Sequence, residues 1–322
     1  MIALDRPAYL GLDRDPRFLS AVVEEFGRYG VHYAGSRAAA YCPGVYSEAE
    51  AFLARRLGAE DVVIVGSGSL AAKLVTEALH VAGYDVVDRR NHMMGSPGMH
   101  PAWPATHATY DGTKAGDLVP GQRLAVRRVT IDPLTLETTH RASVIRAPDA
   151  RLLDVADASH DLFLRPRTAL FAGQLFPHEV AVASLGKAMS IPAGVVAGPR
   201  AITAQVRALP SYRGASPPPP AYVAAVLALS ERLLELQSRL NHIAATVTAA
   251  CEPLERAGAV KTIRAYPVVL VRDDALADRL AGAGFALSTI RYPTPESPLL
   301  RRIVLRADLT DETVERLCRV LT

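Results

Sequence analysis

A lysine stands between two apolar segments in the stretch SLGKAMSIPAGVVAG, residues 184–198. The flanking runs, EVAVA and AGVVAG, have the small and β-branched composition of buried strands. An ammonium group is costly to remove from water, so a lysine is rarely buried without a partner. Lys187 therefore either reaches solvent from a turn or has its amine bound inside the protein. A desolvated amine has a lowered pKa and is suited to forming a Schiff base.

Two acidic residues and a histidine recur at intervals of three in DVADASH, namely Asp154, Asp157 and His160. A carboxylate at a strand end can keep a buried heterocyclic nitrogen protonated, because the opposite charge raises the pKa of that nitrogen. Pyridoxal phosphate needs such a partner, since its protonated pyridine accepts electrons from the substrate. The same residues could instead start a polar loop, with Asp157 as a helix cap. A metal site is disfavoured because no further cluster of ligands stands nearby.

A strand, a Gly/Ser turn and a helix are indicated by VGSGSLAAK, residues 65–73. Backbone N–H groups at the start of such a helix can bind a phosphate, and Gly68 and Ser69 lie in this turn. The spacing matches neither GxGxxG nor the Walker A motif, so it does not support a dinucleotide or ATP. Because many strand–helix turns have this composition, the turn alone does not establish a phosphate site.

Two further motifs carry candidate side chains. His92, in DRRNHMM, follows a predicted strand end and could stack on a ring, although a loop histidine can equally be solvated or capping. Arg301 and Arg302 are adjacent in LLRRIVLRA, so on a strand they face opposite sides. One of them could point inward and bind a carboxylate through two hydrogen bonds. Two solvated arginines on an edge strand would give the same pattern.

The elements that would position these residues alternate between strands and helices. Several continuous apolar runs, rather than alternating ones, predict a mostly parallel sheet covered on both faces. After the prolines at 217–220, one very long helical pattern or two abutting helices lead into a tail with two strands and a last helix. The sequence therefore predicts a large α/β domain, a bridging helix and a small α+β domain.

Composition limits the function classes. A chain of 322 residues with 49% hydrophobic and 21% charged residues is typical of a globular protein. A net charge of +3 is too small for this length to indicate nucleic-acid binding. The longest apolar stretch is far shorter than the roughly 20 residues of a membrane-spanning helix. The first residues lack the pattern of a secretory signal. Three widely spaced cysteines without a CxxC pair predict reduced thiols and a cytoplasmic protein.

Taken in order, these motifs resemble those of the fold-type I pyridoxal-phosphate enzymes, most closely the α-oxoamine synthases. The resemblance runs over nearly the whole chain, through YLGLDRDPRF, YGVHYAGSR, SEAEAFLARRLG, GSGSLAA, DRRNHMM, DVADASH, SLGKAMS and RRIVLRADLTDE. It implies a large pyridoxal-phosphate-binding domain with a mostly parallel sheet of the seven-stranded type over residues 35–230. Residues 231–322 would form the bridging helix and the small α+β domain, with which an N-terminal segment over 1–34 would pack.

The resemblance also implies a role for each residue at the cofactor ring. Lys187 would form the Schiff base with pyridoxal phosphate and later move the α-proton of the substrate. Asp157 would pair with the pyridine nitrogen. His160 would hydrogen-bond the ring hydroxyl, and His92 would stack on the pyridine face.

Further roles follow for the phosphate and the substrate. Gly68 and Ser69 would bind the phosphate together with Ser184, which stands where the family usually has a threonine. The family shares its active site across a homodimer, so Ser216 of the partner subunit would supply another phosphate contact. Arg302 matches the arginine that binds the α-carboxylate of the amino acid.

Some positions depart from the family pattern. Ala8 stands in place of the asparagine before YLGL, and Tyr46 replaces a histidine. The segment before DVADASH is shortened, and Asp132 and Thr135 are poor substitutes for the glutamate and serine that organise acyl-thioester chemistry there. Cofactor binding is therefore better supported than condensation with an acyl thioester.

We expect a pyridoxal-phosphate-dependent transferase that condenses an amino acid with an acyl thioester and releases carbon dioxide. One alternative keeps the cofactor and changes the reaction to amino transfer, aldol-type cleavage or substitution in a specialised biosynthetic pathway. A second alternative is a lapsed enzyme used for binding or scaffolding, against which the retained lysine, aspartate and histidines argue.

Overall fold

A computed structural model gives the fold and describes residues 1–89, 99–106, 109–110, 121–139, 151–164 and 178–322. Its strands, in chain order, are β1 (Ile2–Leu4), β2 (Asp61–Val65), β3 (Asp85–Arg89), β4 (Thr109–Tyr110), β5 (Arg123–Val129), β6 (Arg151–Asp157), β7 (Glu179–Ser184), β8 (Gly194–Gly198), β9 (Val260–Lys261), β10 (Val268–Val271), β11 (Phe285–Arg291) and β12 (Leu299–Val304). Its helices are α1 (Pro16–Tyr29), α2 (Val45–Leu57), α3 (Gly68–Val81), α4 (Leu185–Ala188), α5 (Arg200–Ala208), α6 (Pro210–Gly214), α7 (Pro220–Ala228), α8 (Ser230–Ala250), α9 (Glu252–Arg256), α10 (Asp274–Gly282) and α11 (Asp311–Leu321).

Seven of the described strands form a large sheet in the order β2-β8-β7-β6-β5-β3-β4. The strands from β7 to β4 are parallel, whereas β8 runs antiparallel to both of its neighbours. Both faces are covered, because successive residues of β7 belong to different apolar clusters. Val180 and Val182 lie in the cluster that includes α3, and Ala181 and Ala183 lie in the cluster that includes α2 and α7. The predicted sheet, mostly parallel and buried on both faces, is confirmed.

The ends of three strands bring the candidate residues to one edge of this sheet. β6 ends at Asp157 and β7 ends at Ser184, and the two strands are parallel. β2 and β7 both run antiparallel to β8, so β2 ends at the same edge and the turn at 66–69 follows it. Folds of this class bind their ligands at the carboxyl ends of the strands.

A second sheet contains five of the described strands in the order β1-β11-β12-β10-β9. β1 is parallel to β11, with Ile2 opposite Phe285, and the other pairs are antiparallel. The sequence predicted β10, β12 and α11, but it gave no sign of β1, β9 or β11. The first strand of the chain therefore belongs to the C-terminal sheet, while the domain limits at residues 34 and 230 stay a proposal.

The long helical pattern after the prolines is two abutting helices. α7 ends at Ala228 and α8 begins at Ser230, with Leu229 between them at φ −110° and ψ 26°. α8 has 21 residues and buries one apolar face, so it is amphipathic. In the part of the chain that the structure describes, no helix combines the length and the apolar character that crossing a membrane requires.

Candidate active site

Two adjoining cavities contain most of the predicted site residues. The first, of about 200 Å³, is lined by Asp157, His160, Lys187 and Arg302 among others. The second, of about 230 Å³, is lined by residues of the turn after β2 and by Ser184, and it shares Asp157 and Lys187 with the first. The two cavities therefore meet at the carboxylate and the amine.

Lys187 lies in α4, a single helical turn between β7 and β8. Its backbone is fixed on both sides, because Tyr9 N–H donates to the Lys187 carbonyl at 3.1 Å and Leu185 N–H donates to the Ala193 carbonyl at 2.9 Å. The half-buried side chain lines both cavities. Burial lowers the pKa of the Lys187 amine, the carboxylate of Asp157 opposes this, and the charge of Arg302 lowers it further. Of the two sequence-based possibilities, the structure shows the lysine directed inward.

Asp157 is buried at the end of β6, and two hydrogen bonds orient its carboxylate. Ser159 N–H donates to Oδ1 at 3.0 Å, and Trp103 Nε1–H donates to Oδ2 at 2.8 Å. The carboxylate thus caps a turn and not a helix. A carboxylate has about four lone-pair sites, so two accepted bonds leave room for a further donor from the cavity.

Asp154, which shares the DVADASH motif, does not reach the cavities. It lies on the opposite side of β6, where Arg128 binds it with an NH2–Oδ2 distance of 2.6 Å. The same guanidinium lies 3.3 Å from Glu179, and all three side chains are buried. The Asp154 position is therefore explained by a buried ion pair.

His160 follows Asp157 in the turn and is hydrogen-bonded to Tyr9, with 2.9 Å between Nδ1 and the phenol oxygen. Burial raises the pKa of Tyr9 to about 12, so the phenol keeps its proton. Burial, followed by the charges of Lys187 and Arg302, lowers the pKa of His160 well below its usual value. A protonated phenol and a neutral ring therefore share this hydrogen bond at neutral pH, and the tautomer of the ring decides which of them donates.

The turn after β2 exposes backbone N–H groups. Ser67 caps α3 by accepting from Leu70 N–H at 3.1 Å. Gly68 and Ser69 are the first residues of α3, and N–H groups in a first helical turn have no partner within the helix. The Ser184 hydroxyl forms no cap to α4, and Ser184 packs directly on Gly68. A Cβ on Gly68 would lie 2.7 Å from the Ser184 Cβ.

Gly68→Ala is expected to lower the free energy of unfolding by about 1–3 kcal/mol, because the new methyl group overlaps the backbone and Cβ of Ser184. It should also weaken pyridoxal phosphate binding, since the turn must move to make room. Gly214→Ala is the matched control, because an added Cβ there has no neighbour within 4 Å. Thermal unfolding and cofactor titration of both variants measure the effects. Equal changes in stability and in cofactor affinity in the two variants would contradict the role of Gly68 in this turn.

Ser216 is exposed and lies beside this turn within the same chain. Its carbonyl oxygen is 3.0 Å from the position of a Cβ added to Gly66. The contact from Ser216 of the partner subunit involves a second chain, so it stays a prediction.

Arg301 and Arg302 face opposite sides of β12, as their adjacency predicted. Arg301 forms an ion pair with Asp274 at 2.5 Å, away from the first cavity. Arg302 lines that cavity, and its NH2 group lies 3.4 Å from the Ser288 hydroxyl. Its buried Nε atom has no hydrogen-bond partner among the described residues. Arg302 is therefore the arginine that could bind a carboxylate.

His100 is a site residue that the sequence did not reveal. It lines both cavities, and its Nδ1 accepts from Ala102 N–H at 3.0 Å, so Nε2 carries the proton. Burial and the charge of Lys187 lower the pKa of His100, and Asp157 opposes them. His92, the predicted stacking residue, lies outside the described residues.

These residues fit pyridoxal phosphate. The absent side chain of Gly68 opens backbone donors to a phosphate at the start of a 14-residue helix. Asp157 retains lone pairs for a pyridinium N–H, and Lys187 stands at the junction of the cavities with a lowered pKa. The unpaired Nε of Arg302 suits a substrate carboxylate.

Known proteins match this chain over most of its length. Residues 155–321 match the family described as aminotransferase class I and II. The 8-amino-7-oxononanoate synthase of Methylobacterium nodulans is 30% identical, over 98% of this chain and 84% of that protein. The synthase of the same description from Methylobacterium sp. strain 4-46 is also 30% identical, over 97% of this chain and 84% of that protein.

Solved structures share the fold. Serine palmitoyltransferase from S. paucimobilis superposes with a TM-score of 0.77 at 18% identity, covering 99% of this chain and 86% of that one. The 8-amino-7-oxononanoate synthase of Francisella tularensis gives a TM-score of 0.70 at 16% identity, covering 100% of this chain and 96% of that one. The predicted fold-type I architecture is confirmed.

Proposed function

The chain belongs to the aminotransferase class I and II family of pyridoxal-phosphate-dependent transferases, and from this premise we propose that it is an α-oxoamine synthase. The reaction is the condensation of an amino acid with an acyl thioester, with loss of carbon dioxide and release of the thiol. The observation that carries the proposal is the junction of the two cavities, where Lys187 and Asp157 lie between the turn with Gly68 and Ser69 and Arg302. The expectation of a transferase that uses pyridoxal phosphate is confirmed.

The cofactor would be held at three points by residues of the large sheet. The N–H groups of Gly68 and Ser69 bind the phosphate, and the Asp157 carboxylate binds the pyridine nitrogen. Nε2 of His160 would hydrogen-bond the ring oxygen, because Tyr9 occupies Nδ1. When bound, pyridoxal phosphate supplies an electron sink for the α-carbon of the amino acid.

Arg302 and Lys187 act on the amino acid itself. Arg302 orients it by binding the α-carboxylate with charge-assisted hydrogen bonds. The lowered pKa of Lys187 increases the neutral fraction of its amine at a given pH, and a neutral amine can accept the α-proton. The protonated amine can later return that proton to the product.

The outer part of the first cavity supports an acyl group as the second substrate. Its apolar lining includes Val129 at the end of β5, Leu134 in the segment after β5, Ile290 of β11 and Leu300 of β12. Ile290 is 41% exposed, although it is large and apolar, so solvent reaches this part of the lining. An acyl chain entering past these residues would reach the Lys187 end of the cavity.

We also propose that the enzyme is a cytoplasmic homodimer in which Ser216 of the partner subunit contacts the phosphate. The exposed position of Ser216 next to the turn of its own chain leaves its hydroxyl accessible to a second copy. The three cysteines are free thiols, which suits a reducing compartment.

The proposed reaction predicts two separable signals. Incubation with the correct amino acid in deuterium oxide should exchange the α-proton, which proton NMR detects. Addition of an acyl-CoA should then release free thiol in a one-to-one ratio with carbon dioxide. Exchange without thiol release over a series of acyl chain lengths would argue against condensation, and no exchange with any amino acid would remove the proposal.

Amino transfer is the second candidate. It needs no acyl thioester, and the replacement of a family histidine by Tyr46 is one of the departures that weaken the case for condensation. Tyr46 replaces the family histidine, is fully buried, and donates from its hydroxyl to the Pro218 carbonyl at 2.6 Å. It is therefore committed to structure and does not reach the cavities. Transfer of the amino group to an added 2-oxo acid, without thiol release, would establish this alternative.

A further inference from the structure

The single tryptophan of the chain lies at the candidate active site. Trp103 is 6% exposed and lines the cavity next to the phosphate-binding turn. A backbone hydrogen bond of 2.8 Å from Trp103 N–H to the His100 carbonyl closes the turn that carries it. Its indole Nε1–H donates to Oδ2 of Asp157 at 2.8 Å, so the ring is joined to the carboxylate that binds the pyridine nitrogen.

The hydrogen bond from Trp103 fixes an orientation that the second donor alone would leave free. Ser159 N–H holds only Oδ1 of Asp157, and rotation about the Cβ–Cγ bond could still move Oδ2. A donor on each oxygen removes that freedom. Buried carboxylates need such partners, because an unsatisfied oxygen carries the full cost of desolvation.

On the other side, the indole packs against an ion pair between the buried Arg127 and the half-buried Asp88. The Arg127 guanidinium lies 5.3 Å from the centre of the Trp103 ring, a cation–π geometry, and its side chain is 1% exposed. Asp88 binds this guanidinium through both oxygens, at 2.8 Å to Nε and 3.0 Å to NH2. Asp88, Arg127, Trp103 and Asp157 thus form one continuous chain of polar contacts, which starts at β3 and ends in the active site.

We propose that Trp103 is a positioning residue that orients Asp157 toward the pyridine nitrogen of pyridoxal phosphate, and that the Arg127–Asp88 pair orients Trp103. The inference depends on the cofactor and not on which reaction the enzyme performs. It assigns to the loop at 99–106 a part in cofactor binding.

A double-mutant cycle tests whether Trp103 acts through Asp157. Trp103→Phe keeps an aromatic ring beside Arg127 but removes the N–H donor together with the second ring of the indole, so it should weaken pyridoxal phosphate binding by about 10-fold or more, as expected for loss of a hydrogen bond to a charged group. In an Asp157→Ala background the same change should alter binding by less than about 2-fold, because the partner is already gone. Dissociation constants come from absorbance titration, and thermal unfolding checks that each variant is folded. A similar loss in both backgrounds would overturn the proposal.

A second measurement leaves Trp103 unchanged, so it does not depend on the folding of a Trp103 variant. Since the chain has one tryptophan, a nitrogen-15 label gives one indole N–H resonance. This proton should be protected from exchange with water, and the Asp157→Ala variant should shift the resonance and abolish the protection. An indole proton that exchanges as in free tryptophan, or a resonance unchanged in Asp157→Ala, would refute the contact.

Discussion

Lys187→Ala is expected to abolish covalent attachment of pyridoxal phosphate and to reduce α-proton exchange by at least about 100-fold, the lower range for loss of a catalytic acid–base group. The reason is geometric. Lys187 is the only lysine lining either cavity in the described part of the chain, so no other described amine can replace it. The Asp157 carboxylate and the turn with Gly68 and Ser69 remain, so the variant should still bind the cofactor without a covalent bond.

The experiment is borohydride reduction followed by peptide mass mapping. The chain has only four lysines, at positions 73, 114, 187 and 261, so the modified residue is identified without ambiguity. Lys73→Ala is the matched control, because Lys73 is exposed on α3 and faces neither cavity. Wild type and the control should carry the reduced cofactor on Lys187. Reduced cofactor covalently attached to a different lysine in Lys187→Ala would show that another amine holds the cofactor.

The positions of Lys187 and Asp157 could be predicted from the sequence, because each follows an apolar run that predicts a buried strand. A charged residue that follows a buried strand must be placed at the end of that strand, and strand ends in a parallel sheet lie at one edge. The local pattern therefore fixes the position. The same reasoning gave the turn with Gly68 and the opposite faces of Arg301 and Arg302.

Other parts of the site depend on contacts between distant segments. Tyr9 and His160 are 151 residues apart, and Trp103 and Asp157 are 54 apart. No periodicity near Tyr9, His100 or Trp103 marks them as site residues. The β1–β11 pairing likewise joins the two ends of the chain, and a three-residue strand carries too little pattern to be found alone.

The alternation of side chains along a strand explains why Asp154 does not belong to the site. The spacing of three in DVADASH suggested one cluster, but residues an odd number apart on a strand point to opposite faces. Asp154 and Asp157 are three apart, so only one of them can face a given side of β6. The sequence could have excluded Asp154 once β6 was recognised as a strand through Asp157.

Arg302→Ala should raise the KM for the amino acid by about 10- to 100-fold, the range expected for losing hydrogen bonds to a charged group. Arg302 lines the cavity with Lys187 and has a buried Nε without a partner among the described residues, so a substrate carboxylate would satisfy it. Removal of its positive charge should also raise the pKa of Lys187, because that charge lowers it now. The α-proton exchange rate should therefore fall at neutral pH and recover in part at higher pH.

Arg301→Ala is the control that separates carboxylate binding from general effects of charge and strand stability. Arg301 is the next residue on the same strand and carries the same charge, but its guanidinium pairs with Asp274 on the other face of β12. An exposed ion pair of this kind contributes about 0–1 kcal/mol, so KM should change by less than about 3-fold. Arg302→Lys keeps the charge but cannot form bidentate hydrogen bonds to a carboxylate, so its KM should lie between those of wild type and Arg302→Ala. Equal effects of Arg301→Ala and Arg302→Ala would mean that neither arginine recognises the substrate by contact, and the α-carboxylate would have to bind elsewhere in the cavity.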